Sequence, residues 1–268
     1  MTSSLFGKSI VVTRALHQAD EMNALLTLRG AFPVTYPCIA IVQPEDAAAL
    51  DNNLSTLRSG AYDWLIVTSS NTVFALAQRL NHLSSDSFAG KLPFKVAAVG
   101  SETALALREL FGAAPDLVPS DFNAAAIADE LLPILPAGAR VLLPQSEIAN
   151  PALEQRLSEQ GVQVTAVTAY RTVIGSGGAD VPSLLRTGRI NAVTFTSPST
   201  VDNFLQRLAN EGGSDLIHNI PAACIGSTTA RAAQAHGFTV SIVPPVQTVN
   251  ALIQALENHF AVERYPIC

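Results

Sequence analysis

Almost wholly apolar runs of three or four residues recur along the chain, separated by longer amphipathic stretches. Ile10-Val11-Val12, Trp64-Leu65-Ile66-Val67, Val96-Ala97-Ala98-Val99, Val141-Leu142-Leu143, Ala192-Val193-Thr194-Phe195 and Ala222-Ala223-Cys224-Ile225 form this set. A strand with one wet face alternates apolar and polar residues, whereas a strand covered on both faces stays apolar throughout. The runs therefore predict parallel strands with helices on both sides. His17 to Arg29 predicts one such helix, stopped by Gly30, and Phe32 to Tyr36 predicts the next strand. Alternation of strands and helices over the whole length defines an α/β protein.

The pattern also repeats. Val67-Thr68-Ser69-Ser70-Asn71-Thr72-Val73 resembles Phe195-Thr196-Ser197-Pro198-Ser199-Thr200-Val201 at an offset of 128 (197 − 69). Each leads into a helical stretch ending in Gln-Arg-Leu, at 78–80 and 206–208. Ala98-Val99-Gly100-Ser101-Glu102-Thr103-Ala104 resembles Cys224-Ile225-Gly226-Ser227-Thr228-Thr229-Ala230 at an offset of 126 (226 − 100). Leu117-Val118-Pro119 resembles Ile242-Val243-Pro244 at 125 (244 − 119). The first strand–helix–strand stretch, Ile10 to Val34, matches Val141 to Val164, with Gly30 on Gly161 at 131 (161 − 30). Two copies of about 130 residues, near 8–130 and 140–262, predict two similar lobes with a ligand site between them.

Composition narrows the function classes. Of 268 residues, 48% are hydrophobic and 14% charged, which suits a large buried core and not a disordered chain. The formal net charge is -6 and no Lys/Arg cluster occurs, so nucleic acid and anionic membranes are poor partners. Cys38, Cys224 and Cys268 lie far apart without a Cys-x-x-Cys pair, as in a reducing compartment. His17, His82, His218, His236 and His259 show no metal-ligand spacing, and no bound metal is expected. Met1 to Phe6 is short and polar, with no basic segment ahead of a long apolar stretch. No apolar run approaches the roughly 18 residues of a membrane span. A cytoplasmic location is the expectation.

Candidate chemistry gathers in four loops between a strand and the following helix: Thr68-Ser69-Ser70-Asn71, Gly100-Ser101-Glu102-Thr103, Ser197-Pro198-Ser199 and Gly226-Ser227-Thr228. Ser, Thr and Asn cap helices by accepting hydrogen bonds from first-turn amides, and capping alone explains any single loop. Four of them at the carboxyl ends of strands point further, because ligands of open α/β sheets bind along that edge. Helix N-termini offer free amides and partial positive charge to anions. A net-acidic protein can hold a polyanion in this way with few arginines. Arg14, after the first strand, is a candidate carboxylate ligand as well as an ordinary surface arginine. Tyr170, in Val167-Thr168-Ala169-Tyr170-Arg171-Thr172-Val173, lies in a β-favouring run where a tyrosine commonly serves packing. Thr13-Arg14-Ala15 stands where a dinucleotide fold would carry its glycines, and neither a GxxxxGK[ST] loop nor a GxSxG elbow occurs.

In order and spacing, these motifs resemble the uroporphyrinogen-III synthase family. The resemblance rests on Val-Thr-Ser-x-Asn at 67–71, Val99-Gly100 with Thr103-Ala104, Ala-Tyr-x-Thr at 169–172, Thr-Ser-x-x at 196–199, and Ile225-Gly226-Ser227-Thr228-Thr229-Ala230. It implies two flavodoxin-like (HemD-like) domains with parallel sheets, from an internal duplication. Residues 1–36 plus 174–268 would form one domain and 43–167 the other, joined by crossings at 37–42 and 168–173. It also implies the reaction: hydroxymethylbilane, a tetrapyrrole bearing eight carboxylates, loses its terminal hydroxyl as water, and ring D is inverted as the macrocycle closes. Tyr170 would be the proton donor to the leaving hydroxyl. Arg14, Thr68, Ser69, Ser70, Asn71, Gly100, Ser101, Thr103, Ser197, Pro198, Ser199, Gly226, Ser227 and Thr228 would line the substrate. No cofactor is implied, and a monomer suffices. The family often carries Arg-Gly after the strand at 141–143, where this chain has Pro144-Gln145-Ser146-Glu147. The main alternative from a different class is a two-lobed, non-enzymatic sensor of a small ligand. A nucleotide-dependent enzyme lacks its glycine fingerprints.

Overall fold

The apolar runs fold as strands that alternate with helices along most of the chain. The computed structural model describes residues 3–83, 92–121, 123–217 and 220–264, so His218 and Cys268 lie outside the described residues. The order begins β1 (Ser9–Val12), α1 (Leu16–Leu28), β2 (Phe32–Thr35), β3 (Ile39–Val42), α2 (Ala48–Arg58), β4 (Trp64–Val67) and α3 (Ser70–Leu83). It continues with β5 (Lys95–Ala98), α4 (Ser101–Phe111), α5 (Ala124–Leu131), β6 (Arg140–Ser146), α6 (Ala152–Glu159), β7 (Gln163–Ile174) and α7 (Val181–Arg186). It ends with β8 (Ala192–Phe195), α8 (Pro198–Asn210), β9 (Pro221–Cys224), α9 (Ser227–Ala235), β10 (Thr239–Ile242) and α10 (Val249–Arg264).

The strands form two five-stranded sheets, ordered β10-β9-β8-β1-β2 and β3-β7-β6-β4-β5. Every pairing in the first sheet is parallel. In the second, β7, β6, β4 and β5 pair in parallel, but the sheet as a whole is mixed. The expectation of parallel sheets holds for the first sheet and is corrected for the second, which is mixed. The reason is the path of the chain, which divides into a unit of residues 1–40 with 173–268 and a unit of 41–172. β3 carries the chain out of the first unit and β7 carries it back.

Each sheet is apolar on both faces, as the runs require. In β1, Val11 joins one buried cluster with Val193, Phe195 and Phe204, while Ile10 and Val12 join another with Met22, Leu26 and Leu252. In β4, Leu65 and Val67 pack with Leu54, Val73 and Leu76, while Trp64 and Ile66 pack with Ile127, Leu131 and Leu157. Alternate side chains of a strand point to opposite faces, so each four-residue strand feeds two cores. Helix α1 buries Ala19, Met22 and Leu26, a stripe at helical spacing, and is closed by Gly30 at φ 74.

The Gln-Arg-Leu sequences take different partners in the two units. Arg79 in α3 grips Asp51 of α2 with two hydrogen bonds of 2.6 Å, which hold the Asp51 carboxyl below its ordinary range. Arg207 in α8 is buried and donates to the carbonyls of Pro37 and Gly177, each at 2.6 Å, and to Glu211 at 2.8 Å. Its guanidinium lies 3.7 Å from the centre of the Tyr36 ring, and the Tyr36 hydroxyl donates to Glu211 at 2.7 Å. The segments around 35–37 and 175–178 approach so closely here that only glycine fits. A Cβ on Gly175 would lie 2.2 Å from the Pro37 carbonyl oxygen, and one on Gly178 would lie 2.3 Å from that of Thr35.

Candidate functional site

In parallel strands all carboxyl ends point one way, so loops that follow neighbouring strands share an edge. In the first unit, Arg14 follows β1, Ser197 follows β8 and Gly226 follows β9, three adjacent strands. In the second, Thr68 to Asn71 follow β4 and Gly100 follows β5, again adjacent strands. Tyr170 lies on β7 opposite Ser146, at the carboxyl end of β6. Each unit therefore gathers its share of the candidates at the carboxyl edge of its sheet.

The four loops are of two kinds. Ser69 and Ser197 cap their helices with side chains: the Thr72 amide donates to Ser69 Oγ at 3.2 Å, and the Thr200 amide donates to Ser197 Oγ at 3.3 Å. At Ser197 the Thr200 hydroxyl also accepts from the Ser197 amide, completing a capping box. Capping is a real role for both serines. Gly100 and Gly226 cap α4 and α9 with no side-chain hydrogen bond, so first-turn amides there have no side chain of the cap residue upon them. Gly100 needs its missing Cβ, since φ is 90 and ψ is 162. Ser101, Ser227 and Thr228 are exposed in the first turns, whereas Thr103 is buried.

Tyr170 is 7% exposed, and its ring joins the apolar cluster of Val67, Val73 and Ala98. Packing is thus part of its role. Its hydroxyl nevertheless reaches the capping serine, with 3.3 Å between Tyr170 Oη and Ser69 Oγ. Arg14 forms a 3.6 Å ion pair with Glu21 of α1. The buried thiols are poor nucleophiles: burial pushes Cys224 up to about 12 and raises Cys38 as well.

Sequence reasoning missed Thr72, which is fully buried with its hydroxyl 3.0 Å from Ser69 Oγ. Its counterpart Thr200 was missed too, and the Ser-x-x-Thr spacing at both places was the available signal. Ser146 Oγ is buried without a hydrogen-bond partner beside Tyr170 in the sheet register. A cavity of about 700 Å³ opens at the opposite edge of the second sheet, near Asp63, Trp64, Lys95 and Asp116. The Asp63 and Asp116 carboxylates there already accept from the amides of Arg140 and Val96. The hydroxyls of Ser69, Thr72 and Tyr170 gather instead at the carboxyl edge. Among the described residues no group of three His, Cys, Asp or Glu is placed to hold a metal ion, and no helix is long and apolar enough to cross a membrane.

The architecture is that of a two-sheet α/β protein like solved uroporphyrinogen III synthases. A structure from Helicobacter pylori matches 94% of this chain and 99% of its own at a TM-score of 0.55 and 16% identity. A mutant form from Thermus thermophilus matches 96% and 99% at a TM-score of 0.53 and 21% identity. The family model described as uroporphyrinogen-III synthase HemD matches residues 20–254. The uroporphyrinogen-III synthase of Synechococcus elongatus is 32% identical over 259 residues, covering 95% of this chain and 96% of that protein. The chain belongs to the uroporphyrinogen-III synthase family.

Proposed function

We propose that the protein is a lyase that cyclises hydroxymethylbilane to uroporphyrinogen III, with loss of water and inversion of ring D. The observation that carries this reading is family membership over nearly the whole chain, with 32% identity to a named synthase. The site supports it. Loss of hydroxide from the bilane needs a proton, and a phenol at a protein-lined edge can donate one. The Tyr170 hydroxyl, next to Ser69 at the carboxyl edge of the second sheet, is the proton donor in this account. The resulting azafulvene is attacked by ring D at its substituted carbon, and the spiro intermediate fragments and recloses.

The carboxylates of the substrate are held by helix N-termini and hydroxyls: Thr68, Ser69, Ser70, Asn71, Gly100, Ser101 and Thr103 in one unit, and Arg14, Ser197, Pro198, Ser199, Gly226, Ser227 and Thr228 in the other. The caps at Gly100 and Gly226 contribute helix N-termini whose cap residue makes no side-chain hydrogen bond to the first turn. The two units arise from an internal duplication, with crossings at 37–42 and 168–173 as the linker. Strand order supports this, since β2-β1-β8-β9 and β7-β6-β4-β5 place repeat-equivalent strands in the same sequence. The enzyme works as a cytoplasmic monomer without metal or organic cofactor, and without a nucleic-acid or membrane partner.

Bulk at the helix ends tests the site. Gly226 has φ -164, which any residue adopts, and the nearest atoms a Cβ there would meet belong to the flexible side chain of Gln247, at 2.7 Å. Gly226→Trp and Ser197→Trp should keep near-native circular dichroism. Each should raise KM for hydroxymethylbilane about tenfold or abolish turnover, as expected when contacts of about 0.3–1 kcal/mol each are lost together. Normal KM and kcat in both variants would move the site elsewhere.

A further inference from the structure

Ser69 Oγ stands at the centre of three contacts: the Thr72 amide at 3.2 Å, Thr72 Oγ1 at 3.0 Å and Tyr170 Oη at 3.3 Å. A serine hydroxyl has one proton and two lone pairs. The Thr72 amide takes one lone pair, which leaves two ways to arrange the hydroxyl protons. In the inward arrangement Tyr170 donates to Ser69 and Ser69 donates to Thr72, so the phenol proton is used within the protein. In the outward arrangement Thr72 donates to Ser69 and Ser69 donates to Tyr170, so the phenol proton is left for a ligand. Only the outward arrangement suits a tyrosine that gives its proton away.

We propose that Ser69 is a positioning residue for Tyr170: it donates a hydrogen bond to the phenol oxygen, with buried Thr72 as its own donor, and so aims the phenol proton at the leaving hydroxyl. This rests on the reading of Tyr170 as the proton donor; the Ser69 hydroxyl proton then serves the phenol, and a carboxylate at this position is held by the helix amides, so that KM does not depend on the hydroxyl. As the phenol loses its proton, charge grows on the oxygen that Ser69 faces. A hydrogen bond to a charged acceptor is shorter and stronger than one to a neutral acceptor. The 3.3 Å separation is long for two hydroxyls, as catalytic hydrogen bonds commonly are before substrate arrives.

The test is a double-mutant cycle on kcat and KM with hydroxymethylbilane. Ser69→Ala should lower kcat about tenfold, the size of one hydrogen bond to a charged group, with little change in KM. In a Tyr170→Phe background the same change should leave kcat within about twofold, because the atom it serves is gone. Ser69→Thr, which keeps the hydroxyl, should recover most of the lost rate. Loss of the helix cap alone would cost the same in both backgrounds. Should Ser69→Ala fold poorly, Ser69→Gly removes the hydroxyl at little capping cost and should behave alike in kcat. Equal losses in the two backgrounds, or a change confined to KM, would overturn the role of Ser69 while leaving Tyr170 in place. A Tyr170→Phe enzyme as fast as wild type would overturn both.

Discussion

Replacing Tyr170 with phenylalanine should lower kcat for hydroxymethylbilane about 10²-fold while KM changes little. A positioned acid contributes roughly 10²–10⁴-fold. The low end applies because the pyrrole stabilises the azafulvene cation and water can deliver some of the missing proton. The aromatic ring that packs with Val67, Val73 and Ala98 is retained, so the fold and its melting temperature should stay near those of wild type. The isomer formed should also be unchanged, because ring inversion depends on how the substrate is held and not on which group protonates the leaving hydroxyl. A variant within about threefold of wild type in kcat, well short of an acid's contribution, would reduce Tyr170 to a packing residue.

The second large effect concerns stability. Arg207→Ala should destabilise the protein by about 3 kcal/mol, the lower end for breaking a buried charged pair. The Arg207 side chain is 7% exposed, and its loss strands the carbonyls of Pro37 and Gly177 and uncovers the Tyr36 ring. Glu211, at 37% exposed, can turn to water, which keeps the cost from rising further. Arg79→Ala is the matched control. Its pair with Asp51 is more open, at 18% and 26% exposed, and should contribute under about 1 kcal/mol. Thermal unfolding of the two variants should therefore give clearly separated midpoints, with Arg207→Ala the lower. Coincident midpoints would mean that the buried network around Arg207 adds nothing beyond an ordinary surface pair.

The six apolar runs named from the sequence all became strands, because a strand covered on both faces has no choice of residue and shows it. Strands with mixed surroundings were harder to read. β7 is one strand of 12 residues, yet Gln163, Thr165, Thr168, Arg171 and Thr172 interrupt its apolar pattern, since it is only partly buried along its length. β10 alternates polar and apolar residues in the way of an edge strand, and β3 is half-buried throughout. At the site, serine ahead of a helix made capping by Ser69 and Ser197 readable, whereas their partners Thr72 and Thr200 went unread although the Ser-x-x-Thr spacing marks both. The network of Arg207 was not readable. Its partners Pro37 and Gly177 contribute backbone carbonyls, which leave no mark in a sequence, and Pro37 lies 170 positions away along the chain.

The central claim is that this protein closes hydroxymethylbilane with inversion of one ring. Freshly prepared hydroxymethylbilane, incubated with the purified protein, oxidised and separated by isomer, tests it directly. Uncatalysed closure gives the type I isomer. The bilane should be consumed rapidly, and the product should be predominantly type III, in proportion to the amount of protein added. Type I porphyrin alone, formed at the rate seen without protein, would contradict it.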